Sequence, residues 1–148
     1  MKKNIPMLTA FVLIMSLFLS STCSAQERTV TRIQDLGNGI TVETVITVED
    51  SLSRSSTKRA SSTSTFKNKG EEIATVTLTA TFGYDGSDAW VVSSSGSHTV
   101  EPGWSYSGER ISDSGGTATL TATIKSTKGL GQFPVDISLT CSKNGDIS

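Results

Sequence analysis

Side chains alternate along this chain with period two, and that feature constrains its fold most. From residue 73 to 84 the apolar Ala74, Val76, Leu78, Ala80, Phe82 and Tyr84 occupy every second position, separated by Thr75, Thr77, Thr79 and Thr81. Successive side chains of an extended strand point to opposite faces, so the segment reads as a strand with one apolar and one hydroxyl face. Residues 117–125 repeat the pattern, with Ala118, Leu120, Ala122 and Ile124 on one side. TATLTATI here nearly matches TVTLTATF at residues 75–82. So short a motif reads better as two central strands meeting one packing demand than as a duplicated unit. If the two strands were neighbours, their threonines would make flat hydroxyl–methyl arrays of the kind seen on ice-binding and fibrous surfaces. The β propensity of threonine explains them more simply.

The other segments follow the same rule. Ile40, Val42, Thr44, Ile46 and Val48 share a face, and the Gly37-Asn38-Gly39 turn signal before them makes residues 28–36 the expected hairpin partner. Residues 57–66 are rich in Ser and Thr, with only Ala60 and Phe66 apolar. A strand that specifies its register so weakly is expected at a sheet edge. The basic Arg54, Lys58, Arg59, Lys67 and Lys69 around it read as a solvated edge that discourages aggregation, with contact to an anionic cell-wall polymer as the sharper reading. Further strands are expected over residues 89–95, extending to Val100 through Gly96, over 104–112 and over 133–141. The fold class is all-β: an antiparallel β-sandwich, immunoglobulin-like, of about seven to nine strands. A small β-barrel is the alternative architecture.

The beginning of the chain has a different character. Lys2 and Lys3 precede an apolar run over residues 7–19, and Cys23-Ser24-Ala25 supplies small side chains. This pattern fits a secretory signal peptide over residues 1–25, cleaved after Ala25. Residues 26–148 then form a single β-sandwich domain, with an N-terminal hairpin (28–53) and a main body (54–148). The apolar run falls short of the ~20 residues a spanning helix needs, so no membrane span is expected. The expected location is extracellular. A lipid anchor on Cys23 is the alternative, although Ser20 stands where bacterial acylation favours an aliphatic residue. The 13 basic residues less Lys2 and Lys3 leave 11 against 14 acidic ones, a net charge of −3. That balance argues against nucleic acid as a partner, because phosphates need many cations. After cleavage Cys141 is the lone thiol, so no internal disulfide can staple the fold. It lies in the alternation Phe133, Val135, Ile137, Leu139, Cys141 and reads as an inert core cysteine.

Several runs together resemble a family of small exported proteins of anaerobic gut bacteria: Arg54-Ser55-Ser56-Thr57-Lys58, residues 74–82 leading into Tyr84-Asp85-Gly86, the Gly-rich turn into Thr117-Ala118-Thr119, and Leu139-Thr140-Cys141-Ser142 with Asn144-Gly145. The resemblance covers residues 54–148. It implies export and a β fold, and no activity. It also implies a second cysteine in some members near the position of Val91, able to pair with one at the position of Cys141. The present chain departs from that pattern.

Chemistry-bearing residues are sparse. His98 is the single histidine; a Ser-His-Asp or Cys-His arrangement would have to use it, and no nucleophile-elbow pattern stands nearby. It reads as an exposed strand histidine. His98 and Cys141 are too few soft ligands for zinc. Paired carboxylates, Asp85 with Asp88 or Glu101 with Glu109, are the one hydrolytic alternative. Asp85-Gly86-Ser87-Asp88 reads better as a turn, and it lacks the oxygen ladder of a calcium loop.

The aromatics Tyr84, Trp90, Trp104 and Tyr106 are the candidate ligand-binding residues. Rings on a sheet stack against sugar faces, and the tyrosine hydroxyls add polar handles. In the packing reading Trp90 fills the core and Trp104 covers its end. The expectation is therefore a secreted, non-catalytic protein working by surface contact, without cofactor. Its more specific form is binding of a glycan or cell-envelope polymer.

Overall fold

The structure, a computed structural model, describes residues 27–49 and 56–148. The expected signal peptide, Cys23 and Arg54 lie outside the described residues. Among the described residues eight strands follow one another: β1 (Glu27–Gly37), β2 (Ile40–Glu49), β3 (Thr57–Asn68), β4 (Glu71–Tyr84), β5 (Ala89–Val100), β6 (Trp104–Ser114), β7 (Thr117–Ser126) and β8 (Gln132–Thr140). All pairings are antiparallel and join consecutive strands, in one sheet of order β1-β2-β3-β4-β5 and a second of order β6-β7-β8. The chain is thus an all-β sandwich of two sheets. Immunoglobulin domains connect their strands as Greek keys, whereas this chain meanders, so that likeness stops at the two-layer architecture.

Alternation sets the core. Val76, Leu78 and Phe82 of β4 face Leu120 and Ile124 of β7 and Val135 and Leu139 of β8, all at most 1% exposed. Each large apolar side chain so buried contributes about 1.5–3 kcal/mol. β4 and β7, the two strands of near-identical sequence, lie in different sheets, so their threonine rows are not neighbours. Their apolar faces meet across the interior instead. At one end Phe66, Phe133 and Trp104 close the core, with ring centroids 5.4 Å apart for Phe66–Phe133 and 5.8 Å for Trp104–Phe133.

The Ser-rich strand corrects one expectation. β3 is not at an edge but in the middle of the five-stranded sheet. Its short hydroxyl side chains make this possible. Ser62 and Ser64 are buried, and hydroxyl pairs tie neighbouring strands: Thr44 to Ser64 at 3.0 Å and Thr63 to Thr77 at 2.9 Å. Among the described residues no buried side-chain polar atom lacks a partner, so the burial leaves no unmade hydrogen bond to oppose it. Arg59 and Lys67 therefore do not guard an edge. Lys67 Nζ instead sits 3.0 Å from Glu43 Oε2 on β2.

The five-stranded sheet is the wider layer. All eleven residues of β1 are exposed, Ile33 to 75%.

Candidate functional site

Backbone parity decides where each aromatic points. Ala89 and Val91 pack against the core, so Trp90 between them projects from the outer face of the five-stranded sheet. It is 44% exposed, which corrects the reading that it fills the interior. Trp90 pairs with Gly83 on β4. A Cβ at Gly83 would lie 2.4–2.6 Å from Cε2, Cζ2 and Nε1 of the indole. The ring therefore lies flat over the glycine, one face on the backbone and the other toward solvent. Gly83 is buried beneath it.

To one side of this ring, beyond the row of Arg59, Thr81 and Ser93, the outer face carries hydroxyls. Rows cross four strands: Thr47, Ser61, Thr79 and Ser95; Val45, Thr63, Thr77 and Ser97; Glu43, Thr65, Thr75 and Thr99. Strand spacing of about 4.8 Å and about 6.7 Å between same-face residues make this a regular two-dimensional lattice, mostly of hydroxyl and methyl groups. Charged groups sit at its margins: Arg59 opposite Thr81, and Lys67 beside Glu43. The threonine row of β4 thus has hydroxyl neighbours, but they come from β3 and β5 rather than β7.

The other three candidate aromatics lie elsewhere. Trp104 and Tyr106 do share a strand face, the inner one of β6, and both are half-buried against the core. Trp104 packs on Phe133 at the end of the sandwich. Tyr84 is half-buried, with Lys58 Nζ 5.8 Å from its ring centroid. Its ring lies against Gly145, whose carbonyl accepts a 2.7 Å hydrogen bond from Lys58. Tyr84 therefore pins the turn that follows β8.

Tyr106 brings His98 into a cluster that its sequence position does not suggest. The two rings stack with centroids 3.8 Å apart. The tyrosine hydroxyl donates to Glu109 Oε2 at 2.7 Å, and His98 Nδ1 lies 3.7 Å from the same oxygen. Burial, and then the adjacent Glu109 carboxylate, push the phenol well above its ordinary range. The cluster closes the flank between β5 and β6, beside Ser94, whose hydroxyl donates to both oxygens of Asp113 at 2.8 and 3.0 Å. These contacts seal the open side of the sandwich with polar groups. None of them joins His98 to a serine or cysteine nucleophile.

Asp85 forms a turn, as expected. Its Oδ1 accepts hydrogen bonds from the backbone N–H groups of Ser87 and Asp88, each at 2.8 Å, and these hold the carboxyl below its usual range. Among the described residues no group of three or more His, Cys, Asp or Glu side chains could hold a metal ion. Cys141 is buried, and burial pushes its thiol up, against the lowering effect of Lys58. Val91 and Cys141 approach one turn, donating their backbone N–H groups to Gly115 and Gly116 at 3.0 and 2.8 Å.

Gly83 and the hydroxyl rows of β3 and β5 are the residues that sequence reasoning passed over. A signal for Gly83 existed: it stands as far before the Asp85–Asp88 turn as Trp90 stands after it. No helix among the described residues is long and apolar enough to cross a membrane. No family model, curated protein or solved structure matches the chain.

Proposed function

We propose that the protein works outside the cell by surface contact, without catalysis, and that its contact surface is the outer face of the five-stranded sheet. The ligand class is a glycan or cell-envelope polymer. The single observation that carries this reading is Trp90 laid flat on Gly83 at the edge of the hydroxyl lattice. A sugar ring stacks its C–H face on such an indole, while hydroxyls farther along β4 and β5, beginning with Thr81 and Ser93, donate to and accept from the O–H groups of the polymer. An extended polymer suits a flat face better than a small ligand does, because it makes many weak contacts without needing a deep pocket. Export follows from the character of residues 1–25, and the resemblance to small exported gut-bacterial proteins points the same way.

Affinity electrophoresis in gels cast with soluble polysaccharides tests the reading. The protein is retarded by at least one polymer. Trp90→Ala abolishes the retardation, and Trp104→Ala, which alters only the core's end, preserves it. Free migration through a broad panel of neutral and anionic polymers rejects the proposal.

A further inference from the structure

A polymer that leaves the Trp90 ring for the hydroxyl lattice has to cross one row of outward residues: Arg59 on β3, Thr81 on β4 and Ser93 on β5. Arg59 is the charged side chain of that crossing. Gly83, on which the indole lies, pairs with Thr57, and Arg59 stands two residues beyond Thr57. It is thus one strand across from Gly83 and one same-face step along, roughly 8 Å between Cα atoms at ideal strand spacings. A sugar ring stacked on the indole, with its substituents, spans the gap that the long arginine side chain leaves.

The charges around this crossing are unevenly placed. Arg59 is exposed and, among the described residues, makes no hydrogen bond or ion pair. The neighbouring basic groups are committed elsewhere: Lys58 donates to the Gly145 carbonyl, and Lys67 pairs with Glu43. On the opposite side from Thr81, the same row continues into carboxylates, Glu49 on β2 and then Glu27 on β1. These repel an anion that strays toward β1, while Arg59 attracts one lying over β3, β4 and β5. The whole chain has a formal net charge of −1, so attraction of an anion here is local and not the pull of the molecule at large.

We propose that the outer face takes an anionic glycan, with a sugar ring on Trp90 and its carboxylate or sulfate group on Arg59. The inference rests on the reading of this face as a polymer site and narrows its ligand class. A guanidinium presents a planar fork of donors that meets two oxygens of a carboxylate or sulfate at once, and such charge-assisted hydrogen bonds are roughly twice as strong as neutral ones. Trp90 supplies stacking that any sugar accepts; Arg59 supplies the preference for charge.

Retention on agarose-coupled polysaccharides reads the outcome with two matched pairs. Polygalacturonate against its methyl ester tests the carboxylate, and dextran sulfate against dextran tests the sulfate. One of the acidic polymers holds the protein at least about tenfold more tightly than its uncharged match, ~1.4 kcal/mol. The hold weakens between about 0.1 M and about 1 M salt, as the screening length falls from about 10 Å to about 3 Å. Arg59→Gln lowers retention by the acidic polymer to that of its uncharged match, and Arg59→Lys, which keeps the charge without the fork, falls between. Arg59 is exposed and unpartnered, so these variants keep the urea midpoint of the parent. Equal retention by acidic and uncharged polymers overturns the anionic class and leaves the glycan face standing. So does retention by an acidic polymer that Arg59→Gln does not reduce. No retention by a polymer of either kind ends the glycan reading itself, and this inference with it.

Discussion

A missing side chain at Gly83 makes the most exposed tryptophan usable. With nothing beyond Cα there, the Trp90 indole rests on the backbone and presents its other face to solvent. Gly83→Ala inserts a methyl where the ring lies. The ring has room to swing outward, and alanine is favoured over glycine within a strand by about 0.5–1 kcal/mol, so the stability change is small. The expected outcome is an unchanged urea midpoint, altered indole fluorescence and loss of polysaccharide retardation. Tyr106 carries a second prediction at this scale. Its folded pKa is raised, first by burial and then by Glu109. The unfolded chain therefore gives up the phenolic proton first, and stability falls as pH rises through the ordinary tyrosine value of 10.0. Tyr106→Phe removes that contribution, so its urea midpoint declines less steeply between pH 9 and pH 11, about one unit either side of a free phenol. An equal decline in the two proteins contradicts the assignment. The flatness of Trp90 on Gly83 was hidden in the sequence because it depends on hairpin register, and a turn can be counted in more than one way.

At the level of strands, period two revealed nearly every element. The alternation over residues 73–84 is β4, that over 117–125 is β7, and the hairpin around Asn38 is β1–β2. The partition into sheets was not legible, because alternation states which side is apolar and not which strand lies beside it. Two strands of matching sequence, whose relative placement alternation left open, turned out to lie in different sheets with their apolar faces toward each other. β3 looked like an edge because it is rich in Ser and Thr and specifies its register weakly, yet cross-strand hydroxyl pairs let it sit centrally. The facing of the sheets has a measurable consequence at Gly96. This residue pairs with Leu78 on β4, and a Cβ there would lie 2.7 Å from Leu120 Cδ1 on β7. Leu120→Ala costs about 2–5 kcal/mol, as large-to-small changes in a core do. Gly96→Ala alone is destabilising because it drives a methyl into Leu120. In the double variant the space vacated by Leu120 accepts that methyl, so the combined loss falls below the sum by more than about 0.5 kcal/mol. Strict additivity in urea unfolding indicates that the two strands do not meet there.

As a whole, the molecule is an asymmetric sandwich, with a three-stranded layer packed against part of a five-stranded one. The unequal widths leave β1 exposed on both faces, and the wide layer carries the hydroxyl lattice on its outside. Composition foretold neither property; both arise from how many strands each sheet holds. The central claim is that the outer face, with Trp90 at its rim, receives the ligand. Two-dimensional NMR of amide and indole N–H groups, titrated with short oligosaccharides of whichever polysaccharide retards the protein, locates the contact residue by residue. The account predicts shifts at the Trp90 indole and at outward positions of β3, β4 and β5 such as Thr63, Thr77, Thr79 and Ser95, with the Trp104 indole unmoved. Shifts centred on Trp104 and the β5–β6 flank, with Trp90 silent, would contradict it.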